Sequence, residues 1–118
     1  EGKTLTDSYF KINKSKQGFY RNLVNSSYLG CCMAIKKELL QKALPFPVNP
    51  IPHDIWLGLL AEWKHKVIFL DDKLILYRRH DSNMSTSGSH SSFSLRMKLT
   101  YRLILFYELL KNILKLKR

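Results

Sequence analysis

Residues 66–80 read KVIFLDDKLILYRRH. Residues 67–70 and 73–80 are short runs rich in Val, Ile, Leu, Phe and Tyr, and Asp71-Asp72 between them is a turn pair, so the spacing predicts two strands. Side chains alternate across a strand, which puts Leu74, Leu76, Arg78 and His80 on one face and Ile75, Tyr77 and Arg79 on the other. Further upstream, residues 28–35, YLGCCMAI, form an apolar run between Asn-Ser-Ser and Lys-Lys and predict a buried strand. With the helices below, these strands predict an α/β class, in the form of an α+β fragment.

The helical signals lie on either side. Residues 36–43 fit a short helix that ends before Pro45, because proline cannot supply the donor a helix needs. The segment 45–52, PFPVNPIP, holds four prolines and predicts a stiff extended loop. Residues 53–64, HDIWLGLLAEWK, carry Trp56, Leu59, Leu60 and Trp63 at i, i+3, i+4 and i+7, with Asp54 as a candidate N-cap. Phe19, Tyr20, Leu23 and Val24 also have helix-like spacing. Residues 82–92, SNMSTSGSHSS, predict a mobile polar loop. From Ser94 onward one long helix is predicted, with Leu95, Leu99, Leu103, Phe106, Leu110, Ile113 and Leu114 as its apolar stripe. The chain thus divides into residues 1–92 and a basic amphipathic helix over 93–118.

Charge narrows the classes of partner. The 118 residues carry a net charge of +11. Residues 89–118 hold seven Lys or Arg and one Asp or Glu, so the last quarter supplies more than half of it. Such a surface suits nucleic acid, phosphorylated sugars or an acidic membrane. Hydrophobic residues at 45% are enough for a core, which excludes global disorder. Cys31 and Cys32 are adjacent and have no CxxC or Cys/His metal spacing. They predict core thiols in a reduced, intracellular protein with neither a disulfide framework nor a zinc finger. No apolar run reaches the length of a membrane span. Glu1 in place of Met, with no leader pattern, suggests a piece of a longer protein.

Two constellations can carry chemistry. His53-Asp54 opens a helix after the proline loop, where a carboxylate can take a proton from a hydroxyl, or can only cap the helix. Arg78 and His80 share a strand face at the mouth of a polar loop. Arg offers a planar fork to phosphate oxygens and His can ligate a metal or donate to phosphate, although a solvated strand end is the plainer reading.

In order, GCCMAIKKELL, LPFP, HDIWLGLLAE and KVIFLDDKLILYRRHDSNMS resemble the C-terminal, acceptor-side half of family 2 glycosyltransferases of the GT-A fold. The nearest likeness is to bacterial rhamnosyl and other polysaccharide glycosyltransferases, over residues 28–87. The resemblance implies transfer, with inversion, from a nucleotide-diphospho-sugar donor to a saccharide or lipid-linked acceptor in cell-surface polysaccharide synthesis. It implies Asp54 as catalytic base and His53 and Trp56 at the acceptor. Arg78 and His80 would lie at the donor diphosphate, with His80 beside a divalent metal, Mg or Mn. The family's D-x-D motif and donor half are not in this sequence, so turnover by the fragment alone is not expected. An open sheet edge would then offer a homodimer contact.

Two other classes compete. A small basic nucleic-acid-binding module is permitted by charge. It is disfavoured because the cations are not interleaved with aromatics as stacking platforms require, so no nucleic acid partner is expected. A membrane-surface module would use the last helix against anionic lipid. These readings together place the protein in the cytoplasm, peripheral to the inner face of the cell membrane.

Overall fold

The computed structural model describes residues 7–64, 66–76 and 94–115. Helical turns take up 59% of those residues and none is in a strand, so the expected α/β class is corrected to an all-helical one among the described residues. Among the described residues five α-helices follow in order: α1 (Tyr9–Asn13), α2 (Phe19–Val24), α3 (Lys37–Ala43), α4 (His53–Lys64) and α5 (Leu95–Lys115), with a 3-10 turn at Gly30–Cys32.

The sheet fails for want of partners. A strand is stable only when its N–H and C=O groups meet those of a neighbour. Residues 67–76 form no strand, bend at Asp72 and pair with no strand among the described residues. The Val67 carbonyl accepts from Gln17 Nε2 at 2.6 Å. The Leu74 N–H closes a three-residue turn onto the Asp72 carbonyl at 3.1 Å, where a hairpin was expected. Phe69 packs on Phe10 and Tyr28 with ring centroids 5.4 and 5.8 Å apart. Exposed Lys73 is tied to Asp7, whose carboxyl Lys73 and Lys11 hold down at about 2. Residues 28–35 do not form the predicted strand either, because the Cys32 N–H folds back onto the Leu29 carbonyl at 2.9 Å. With no sheet among the described residues, the sheet edge expected to offer a homodimer contact is absent there. Arg78, His80 and the loop 82–92 lie outside the described residues.

The predicted helix over residues 53–64 is present and occupies the centre. Trp56, Leu57, Leu59 and Leu60 are all buried, so α4 is enclosed on more than the single stripe its spacing suggested. Leu39 and Ala43 of α3 cover one side and Leu105 and Leu109 of α5 another, with Phe19 and Leu23 of α2 packed against the cluster. The indole Nε1–H of Trp56 donates to the Ala43 carbonyl at 3.1 Å, satisfying one of the acceptors that the end of α3 leaves without a helical donor. Trp63 is partly exposed and meets Phe19 edge-on at 5.3 Å.

Gly58 lets α4 approach Tyr28. A Cβ there would overlap the Tyr28 ring, 2.5 Å from its Cγ. Tyr28 is buried and its phenol has no hydrogen-bond partner among the described residues. Its pKa is driven up, first by burial and then by the Glu62 carboxylate beside it. Gly58→Ala is therefore expected to destabilise by about 1–3 kcal/mol through overpacking, despite alanine's better helix propensity. Thermal melts of the two proteins check this, and an unchanged midpoint would remove the close approach.

α5 does not use the stripe its sequence suggested. Leu105, Leu109 and Ile113 turn inward, with Tyr101 packed beside them, while Leu95, Leu99, Leu103, Phe106, Leu110 and Leu114 are exposed. Of the predicted stripe only Ile113 is buried. Polar ties fix this rotation. Asn112 Nδ2 donates to the Lys42 carbonyl at 3.1 Å, and Asn49 Nδ2 donates to Glu108 Oε1 at 2.8 Å. The Arg102 guanidinium donates to the Val24 carbonyl at the end of α2.

Candidate functional site

The proline loop ends at Pro52, and the Trp56 N–H bonds to the Pro52 carbonyl at 3.1 Å. Helix α4 therefore begins two residues earlier than an Asp54 cap would allow. His53 is its first residue and Asp54 lies inside the first turn, so the N-cap expectation for Asp54 is corrected. The position still favours a carboxylate, because the N–H groups of a helix start carry partial positive charge. Asp54 Oδ1 accepts from the Ile55 N–H at 2.8 Å and Oδ2 from the Gly30 N–H at 3.2 Å. The 3-10 turn at Gly30–Cys32 is thereby docked on the start of α4. His53 lies over the same glycine, since a Cβ at Gly30 would come 2.8 Å from its Nε2.

Two tyrosines that the sequence did not single out feel the charge of this carboxylate. Burial first, and then the Asp54 charge, raise the phenols of Tyr9 on α1 and Tyr101 on α5, the latter to about 12. The Tyr101 hydroxyl is buried with no hydrogen-bond partner among the described residues. Both phenols stay protonated at neutral pH and can donate. No local motif could have revealed them, because they come from helices far apart in sequence.

Cys31 and Cys32 are exposed, against the expectation of core thiols, since the 3-10 turn directs both outward with the sulfurs 3.7 Å apart. Burial and the neighbouring Cys31 raise the Cys32 pKa, which leaves it a poor thiolate nucleophile. Trp56, expected at the acceptor, is 1% exposed within the core. Asp54 and His53 are thus brought together at one surface, without Trp56. Arg78 and His80 lie outside the described residues. Among the described residues, no three His, Cys, Asp or Glu side chains gather to hold a metal. The residue expected beside Mg or Mn, His80, is not among them. No helix described is long and apolar enough to cross a membrane.

No family model, curated protein or solved structure matches this chain.

Proposed function

We propose that the chain forms the acceptor side of a sugar transferase in which Asp54 is the general base. The observation carrying this reading is the Asp54 carboxylate held at the first turn of α4 by two backbone N–H groups. Forming a glycosidic bond requires that an acceptor hydroxyl lose its proton as its oxygen attacks the anomeric carbon and the diphosphate departs. A carboxylate fixed by the backbone can take that proton without reorganising. His53 at the rim can hydrogen-bond a neighbouring hydroxyl. The nucleotide-diphospho-sugar would be bound by residues beyond those described, with a saccharide or lipid-linked acceptor at Asp54. The reading places the protein in the cytoplasm, at the inner face of the membrane where such acceptors are displayed.

Asp54→Asn tests it. Asn keeps the shape and one acceptor oxygen but cannot take the proton. In the full-length protein, release of nucleoside diphosphate from nucleotide-sugars should fall by about 100-fold or more. The melting midpoint should change little. Near-normal release by the variant, or none by the unaltered protein with any nucleotide-sugar, would overturn the proposal.

A further inference from the structure

The core takes one side of α5 and leaves a second apolar side bare. Leu95, Leu99, Leu103, Phe106, Leu110 and Leu114 recur every three or four residues and so line one face. Leu95, Leu99, Leu103 and Leu114 are between 61% and 86% exposed. A continuous apolar stripe of this kind on a folded surface marks a contact site. Val24, exposed at the end of α2, adjoins it through the Arg102 bond to its carbonyl.

Charge identifies the occupant. Adjacent helix positions lie about 100° apart, so residues one before or one after the stripe form its two rims. Lys98 stands on one rim and Arg96 and Lys111 on the other, with Lys115 at the end, while Arg102 is taken up by the Val24 carbonyl. Among the described residues, no carboxylate pairs with Arg96, Lys98, Arg102 or Lys115. The only acid of α5 is Glu108, on the buried side and paired with Lys111 at 2.9 Å. Lys111 also sits 4.9 Å above the Tyr107 ring, and an amphipathic Tyr beside a cation suits a headgroup layer.

We propose that this face of α5 lies in the plane of an anionic bilayer, with its leucines below the headgroups and its rim cations among the phosphates. A second copy of the chain would bring cationic rims together at +11 per chain, whereas anionic lipid supplies both the apolar medium and the opposite charge. The helix cannot cross instead, because its other side is the protein's own core and it is not apolar enough to span. Docking does not depend on the role of Asp54 and is read without any sugar donor.

The test is sedimentation of the full-length protein with phosphatidylcholine vesicles, with and without phosphatidylglycerol, at low and high salt. Partition onto the anionic vesicles is expected, weakened by salt. Arg96→Gln and Lys98→Gln should each lower it about fivefold. Leu103→Asp should abolish it while leaving the circular dichroism melt unchanged, since Leu103 lies outside the core. Equal partition onto neutral vesicles, no partition onto either, or normal binding by Leu103→Asp would overturn the proposal. A lipid-free dimer that Leu103→Asp splits would also overturn it, by giving the face to a second copy.

Discussion

Trp56→Ala should destabilise the protein by about 3–5 kcal/mol. Trp56 is among the largest fully buried side chains and stands where α4 meets α3. Truncation removes most of an indole's apolar burial and leaves a cavity that enclosed neighbours can only partly fill. It also strips the Ala43 carbonyl of its donor at the end of α3. A domain of this size has a total stability of roughly 5–15 kcal/mol, so the loss is a large fraction of the whole. Trp56→Phe separates the two contributions. It keeps much of the volume and loses the hydrogen bond, which is worth about 1 kcal/mol. Urea titration of the three proteins measures both differences. A loss below about 1 kcal/mol for the alanine variant would contradict the packing of α4 on α3.

Asn22→Ala should cost about 3 kcal/mol, through hydrogen bonding and not volume. Asn22 is 1% exposed in α2. Its Nδ2 donates to the Lys16 carbonyl at 2.8 Å, the Gly18 carbonyl at 3.1 Å and Glu62 Oε1 at 3.0 Å. Its Oδ1 accepts from the Ser27 N–H at 2.8 Å, and Ser27 is itself buried. One amide thus joins the segment before α2, the segment after it and α4. Alanine leaves these groups unpaired away from water, and each such group costs about 1–3 kcal/mol. Asn22→Asp should fare no better. It retains the Ser27 bond but turns an anion toward two carbonyls and the Glu62 carboxylate. Asn25→Ala, at an exposed position three residues on, should stay within about 0.5 kcal/mol of the unaltered protein. Equal melting of the Asn22 and Asn25 variants would show that the latch carries no stability.

The candidate site was legible in the sequence where its logic is local. A carboxylate at a helix start after a rigid proline loop is a short-range pattern, and Asp54 and His53 do lie there together. The exact cap was misread because Pro52 already supplies the first helical acceptor. Tyr9 and Tyr101 were invisible, since 92 positions separate two side chains, on α1 and α5, whose phenols both feel the Asp54 charge. Trp56 was assigned to the acceptor from a resemblance. Its environment, buried on all sides of α4, is a property of four helices at once.

The sequence by itself determined α3, α4 and α5, because helical hydrogen bonds and the 3.6-residue period are set by neighbours along the chain. It determined as well that the end of the chain would be cationic. Only the tertiary structure decided the fate of residues 28–35 and 67–76. β-prone side chains favour extension, but a sheet exists only where another strand supplies the ladder, and none does so among the described residues. Only the tertiary structure decided which face of α5 is inside. Two apolar faces on one helix compete equally in a sequence pattern. The choice fell to Tyr101, Leu105, Leu109 and Ile113 because Asn112, Glu108 and Arg102 find partners on α3, the proline loop and α2 only in that rotation.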